Sequence, residues 1–308
     1  MYHRVLPKSD FRLDNEEPGM YVTPETLNIH LSKLSQITTF ISIEDWLHLS
    51  KNNQLDNTPY CAITFDDGWA DNYEFALPLL KKYKAPATIF LATNYIDSNS
   101  TFWPERLYGL LNRFKEGNNA NLLSHLNNFL ALIETTLDQT QLKTNTSEYA
   151  AKLIDLAKIL SDDEINSSLD KIEESLPATK DTSQDMLNWE QITEMKEHGL
   201  EIGGHTRSHL RLNIKASNER VRQEVAGCAK DIENQLGMQP TLFCYPNGDT
   251  SENAVSIVKQ NFHAAVTTQN GVNIPGAEPF LLKRTGVHED ISNSHTKFLA
   301  ALFRSTAK

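Results

Sequence analysis

Apolar positions along this chain follow two alternating periods. Short runs such as Tyr2-His3-Arg4-Val5-Leu6 (closed by Pro7) and Tyr60 to Phe65 read as strands. Between and after them, apolar residues recur every three or four positions. Thr23 caps a helix with Pro24 at its first position and Leu27, Leu31 and Leu34 on one face. A strand from Ile37 to Ile41, a short capped helix from Ser42, and a helix from about Asp71 to Tyr83 follow, and Pro86 opens a strand over Ala87 to Leu91. Further on, Leu200 to Gly204, Thr241 to Tyr245, His263 to Thr267 and Phe280 to Thr285 read as strands. The helices among them include a long one from Ser217 to Leu236, stopped by Gly237. Some seven or eight strand–helix units in one chain predict an α/β fold, a distorted parallel (β/α)7-8 barrel.

The alternation is interrupted between about 97 and 187. That segment is rich in Asn, Thr, Gln, Ser and Lys, and its apolar residues (Leu153, Leu156, Ile159, Leu160) keep helical spacing. Ser161-Asp162-Asp163-Glu164 has the form of a capping box. A structureless loop of this length is improbable inside a compact domain. The segment therefore reads as a helical insertion in a single barrel domain spanning 1–308.

Composition narrows the class of protein. The 308 residues are 39% hydrophobic with 13 Phe and 4 Trp, enough for a sizeable core. A net charge of -11 argues against binding nucleic acid or acidic membranes. No apolar run approaches the length of a membrane span, and no apolar leader is visible, so a cytoplasmic location is expected, or a periplasmic or extracellular one if the N-terminus has been trimmed. Cys61, Cys228 and Cys244 lie in or beside apolar runs without C-x-x-C spacing, which reads as buried, reduced thiols.

Two stretches carry candidate chemistry. Thr64-Phe65-Asp66-Asp67-Gly68 ends an apolar run with adjacent carboxylates. Side chains of neighbouring strand residues point to opposite faces, so both acids serve one site only if the strand ends there and the chain turns, which Gly68 permits. Two adjacent acids repel, and a cation beside them removes the repulsion. The other reading of Asp-Asp-Gly is an Asx turn with an exposed second acid. His205-Thr206-Arg207-Ser208-His209 follows the short apolar run Leu200 to Gly204 and is placed on a strand-to-helix loop, where the two rings are either ligands or ordinary loop histidines. Taken together, Asp67, His205 and His209 would suit one divalent metal, three protein ligands with a position left for water, and Asp66 would remain as a base.

The two stretches resemble the first two motifs of the polysaccharide deacetylases, also called the NodB-homology or carbohydrate esterase family 4 domain. The framing Glu201-Ile202-Gly203-Gly204 and the stretch Phe243-Cys244-Tyr245-Pro246-Asn247-Gly248, similar to the third motif, extend the likeness. The resemblance implies a divalent metal, usually zinc, on Asp67, His205 and His209, Asp66 as catalytic base, and N-acetylated amino sugars or their polysaccharides as substrate. Two departures stand out. The third motif lacks its Arg, and the usual C-terminal Leu-x-x-His that supplies the general acid is missing. Tyr2-His3-Arg4-Val5 instead resembles members that carry this histidine on the N-terminal strand. His3 is thus the expected acid and His288 its substitute, with Arg284 a stand-in for the missing Arg. The backbone N–H of Tyr245 is the expected oxyanion donor, and Trp69 and Trp103, which flank predicted loops at the site, are either stacking platforms for sugar rings or side chains packed in the core or lid. Two other classes fit parts of the pattern. One is a catalytically silent carbohydrate-binding member of the fold. The other is a non-haem iron oxygenase, whose two-His-one-carboxylate triad these residues also match. The sequence says nothing of oligomeric state.

Overall fold

The computed structural model describes residues 1–308 except 18, 118–119, 178–184 and 307–308. In chain order the strands are β1 (Arg4–Val5), β2 (Tyr21–Val22), β3 (Thr39–Phe40), β4 (Tyr60–Cys61), β5 (Ile63–Phe65), β6 (Ala87–Leu91), β7 (Glu201–Gly204), β8 (Leu242–Cys244) and β9 (Ala264–Val266). Strands β5 to β9 form one parallel sheet in sequence order, and β1–β2 and β3–β4 are small parallel pairs. The fold is α/β, with a parallel sheet that curls toward closure. On the outer edge of β5, Tyr2 N–H donates to Thr64 O (2.9 Å) and Asp66 N–H to Tyr2 O (3.0 Å). On the outer edge of β9, Leu282 N–H donates to Ala265 O (3.0 Å) and Thr267 N–H to Leu282 O (2.8 Å). The two edge segments then meet: Met1 N donates to Thr285 O (2.9 Å), and Val287 N–H to Met1 O (3.3 Å). Backbone hydrogen bonds therefore run round a ring made of the five strands and these two segments.

The strands are shorter than the apolar runs suggest. The expected strand from Phe280 to Thr285 contributes only a single bridge, Val266 to Leu282. All five residues of β6 are buried, as expected of a parallel strand covered on both faces. In β7 a Cβ on Gly203 would stand 2.5 Å from the Phe90 ring and 2.8 Å from Leu242 O, so only glycine fits between the neighbouring strands.

Helices cover the sheet: α1 (Pro24–Ile37), α2 (Ile43–Lys51) and α3 (Leu77–Tyr83), the last entered through a π-helical turn, Asn72–Ala76. Helices α4 (Trp103–Gly117), α5 (Ala120–Leu132), α6 (Gln139–Thr144), α7 (Thr146–Ala157) and α8 (Asp162–Glu174) come next. Then follow α9 (Trp189–Glu197), α10 (Asn218–Leu236), α11 (Glu252–Asn261), α12 (Glu289–Ser292) and α13 (His295–Thr306). Among the described residues no helix is long and apolar enough to cross a membrane.

The chain divides into two compact units. One comprises Met1–Lys8, Gly19–Asn99 and Gln184–Lys308 and contains the sheet; the other comprises Ser9–Pro18 and Ser100–Ser183 and contains α4 to α8. The second unit has its own core, built from Leu107, Leu111, Leu126, Leu153, Ile165 and Leu169 among others. The expected capping box at Ser161 is present, with Glu164 returning to the Ser161 N–H. Arg106 ties α4 to α8 through Asp170 and Glu173. The short segment from Ser9 joins this unit, which the sequence pattern does not reveal.

Candidate active site

The parallel strands deliver their loops to one rim, the place where barrel enzymes carry chemistry. Strand β5 ends at Phe65, and the chain turns through two left-handed residues, Asp67 (φ 78°) and Gly68 (φ 92°). Gly68 tolerates this freely; Asp67 is one of the residue types that reach it at modest cost. The turn breaks the strand's alternation, so Asp66 and Asp67 are both buried on the same rim. Strand β7 delivers His205 directly. A loop with left-handed Thr206 (φ 63°) and His209 (φ 56°) then folds the second histidine back beside it.

That loop is braced from both sides. The N–H groups of Arg207 and Ser208 each donate to Glu224 Oε2 at 2.8 Å, and the Ser208 hydroxyl donates to Oε1 at 2.7 Å. The Arg207 guanidinium grips Asp231 at 2.7 and 2.6 Å. Thr93 and Asn94, past the end of β6, donate to the carbonyls of Thr206 and Arg207.

Asp67 Oδ1 lies 3.3 Å from His205 Nε2 and 3.4 Å from His209 Nε2. It is buried and has no hydrogen-bond partner among the described residues. His205 Nδ1–H donates to Cys244 O at 2.8 Å, which turns Nε2 toward the carboxylate; burial lowers this ring, but its acidic neighbours outweigh that and raise it well above its ordinary value. One carboxylate oxygen and two imidazole nitrogens facing one another can exchange the ring proton for a divalent cation. For metal–ligand bonds of about 2.0–2.1 Å, tetrahedral ligands stand about 3.3–3.4 Å apart. The donor set of one carboxylate oxygen and two imidazole nitrogens is thus a candidate metal-binding group. Burial raises Asp67, but the two rings outweigh it and hold the carboxyl below its ordinary value. Desolvation pushes the half-buried His209 ring down to about 4, against the pull of Asp67, so it is neutral near pH 7, the form that binds metals.

Asp66 is held differently. Arg284 donates Nη1 to Oδ1 and Nη2 to Oδ2, both at 2.7 Å, a bidentate pair with both partners buried. The same guanidinium reaches Thr64 Oγ1 and Thr267 O. Burial raises Asp66, yet the charge and hydrogen bonds of Arg284 outweigh it and bring the carboxyl to about 2. Cys244 lies against the pair, with Arg284 Nη2 3.1 Å from its sulfur and its own S–H directed at Asp66 Oδ2, 3.4 Å away. Burial raises this thiol, which keeps it protonated and unreactive near neutral pH. His3 Nε2 stands 4.0 Å from Asp66 Oδ2, with about a fifth of the side chain exposed.

Residues 54–266 match the family model described as polysaccharide deacetylase. The chain belongs to the polysaccharide deacetylase family. A putative polysaccharide deacetylase of Bacillus subtilis, YxkH, is 24% identical over 233 residues, covering 75% of this chain and 53% of its own length, so the chain spans about half of that relative. Among solved structures, the Streptococcus pyogenes deacetylase PplD aligns with a TM-score of 0.63 at 20% identity, over 98% of this chain and 95% of its own. IcaB from Ammonifex degensii aligns with a TM-score of 0.59 at 19% identity, over 97% and 94%. These likenesses show that the fold is that of the polysaccharide deacetylases.

Four residues expected at the site are otherwise engaged in the structure. Trp69 offers no stacking platform. It is 1% exposed, and its Nε1–H donates to Asp67 Oδ2 at 3.0 Å. Trp103 is buried in the core of the second unit. The Tyr245 N–H is taken by Val266 O at 3.2 Å, an extension of the β8–β9 ladder, and is not free for an oxyanion. His288 caps α12 and its Nδ1 faces Asp290 at 3.2 Å. Sequence reasoning missed Glu224, Arg4 and the anchoring role of Asp71, because each acts through contacts across long stretches of chain.

Proposed function

We propose that the protein is a metal-dependent hydrolase that removes N-acetyl groups from amino sugars of a surface polysaccharide or its precursor. The observation that carries this is the unsatisfied Asp67 Oδ1, buried between two imidazole nitrogens and next to an acid locked by Arg284. Asp67, His205 and His209 would hold the ion, and their nitrogen and oxygen donors suit zinc. When bound, such an ion polarises a carbonyl and acidifies water.

The chain's own groups then have distinct tasks. Asp66 is kept ionised and fixed in orientation by Arg284, and takes a proton from the attacking water. His3, across the 4.0 Å gap, gives a proton to the departing amine, which leaves poorly until protonated. Pro246 has no N–H, so the first backbone donor beyond the β8–β9 ladder belongs to exposed Asn247, and it replaces Tyr245 as the proposed oxyanion donor.

The test is acetate release from N-acetylglucosamine oligomers by metal-stripped and zinc-restored protein, with zinc content measured alongside. We expect release only in the restored sample. Protein that takes up no transition metal, or that releases acetate equally when stripped, would overturn the reading. His3→Ala is expected to lower the turnover rate about 10²–10⁴-fold, the usual size of general acid catalysis, with zinc content unchanged.

A further inference from the structure

The metal ligand Asp67 and the acid His3 come from different strands, and a buried chain of side chains joins them. Trp69 Nε1–H holds Asp67 Oδ2, which fixes the carboxylate so that Oδ1 faces His205 and His209. The guanidinium of Arg4 lies over the Trp69 ring, 4.1 Å from its centroid. Arg4 Nε in turn donates to Asp71 Oδ2 at 2.9 Å, with both residues buried. Asp71 Oδ1 accepts the backbone N–H of Val5 at 2.7 Å, and Asn72 Nδ2 donates to the carbonyl of His3 at 2.8 Å. Both strand-anchoring residues sit where the π-helical turn Asn72–Ala76 begins, and such turns are frequent at functional sites.

We propose that Trp69, Arg4 and Asp71 are positioning residues that set the metal ligand and the acid-bearing strand in one rigid frame. This rests on Asp67 being a metal ligand, as read above. The physical reason is that a carboxylate ligand can rotate about its Cβ–Cγ bond, and an N–H bonded to its outer oxygen removes that freedom before the ion arrives. The cation over the Trp69 ring holds the indole from behind and draws electron density from it, which strengthens its N–H as a donor. The carboxylate of Asp71 fixes that cation and, through Val5 N–H, the strand carrying His3. A reader of the sequence sees only Arg4 next to His3 and Trp69 next to Gly68; the fold makes them one unit.

Zinc affinity, measured by competition with a chromophoric chelator, tests this. Trp69→Phe keeps a ring beneath Arg4 and removes the N–H. It is expected to weaken zinc binding about 10–100-fold, the usual cost of losing a hydrogen bond to a metal ligand, and to lower kcat with KM little changed. Asp71→Asn alone would strand a buried guanidinium and endanger folding. The second variant therefore removes both charges together, Arg4→Met with Asp71→Leu, and is expected to weaken zinc binding in the same direction. Wild-type zinc affinity in both variants, whatever their melting temperatures, would reduce these residues to core packing and overturn the proposal while leaving the metal site standing. Failure of the wild-type protein to bind zinc would instead overturn both.

Discussion

Asp66→Asn is expected to lower acetate release about 10²–10⁴-fold while zinc content stays at the wild-type level. The substitution keeps the shape of the side chain and removes its capacity to take a proton. The proposed ligand atoms on Asp67, His205 and His209 are untouched, so the expected loss falls on turnover and not on the ion. Calorimetric zinc stoichiometry beside the steady-state rate separates the two. Equal rates for Asp66→Asn and wild type would remove Asp66 from the role of base.

Arg284→Met has the largest expected effect on stability. It leaves Asp66 as a buried carboxylate without its bidentate guanidinium, a loss of about 3–5 kcal/mol near neutral pH. The pH dependence follows from the direction of the shift. In the metal-free wild type the Asp66 carboxyl lies at about 2, below its unfolded value, so the pair stabilises fully above about pH 4 and is lost as pH falls toward 2. In Arg284→Met burial is opposed only by the smaller pull of His205 and His3, so Asp66 rises; the variant's deficit is greatest at neutral pH and shrinks on acidification. Urea unfolding of both metal-free proteins between pH 7 and 3 checks this. Asp66→Asn strands the opposite partner of the same pair. The double variant should therefore be less destabilised than the sum of the two singles, yet as inactive as Asp66→Asn.

The sequence discloses the site unevenly. The turn after Phe65 is legible because only a strand end lets adjacent acids share a rim, and the following Gly68 marks it. The loop nature of His205 to His209 is legible from the strand and the glycine pair before it. Arg284 is reachable by asking which cation replaces the one missing beside Asp66. Trp69 is not legible, since an aromatic after strand-end acids reads equally as a platform for ligand or as a strut. The guanidinium that covers its ring belongs to Arg4, 65 positions earlier in number and adjacent only in the fold. Glu224 escapes notice because a mid-helix glutamate on α10 ordinarily faces solvent, and only the folded loop supplies the N–H groups it accepts. The strand over Phe280 to Thr285 is overread because apolar alternation records burial, whereas pairing depends on how the ring closes.

The way that ring closes has a consequence for how the protein is made. Asp66 is flanked by His3 from the opening residues and by Arg284, 218 positions downstream. Contacts of such sequence separation form slowly, because a long chain must be ordered before they reward it. During synthesis the acid pair and the metal-loop histidines emerge from the ribosome well before Arg284 does. Until then the Asp66 carboxylate lacks its cation and the first segment has no partner at Thr285 and Val287. A nascent chain halted before residue 284 would carry every proposed metal ligand and still lack a competent base.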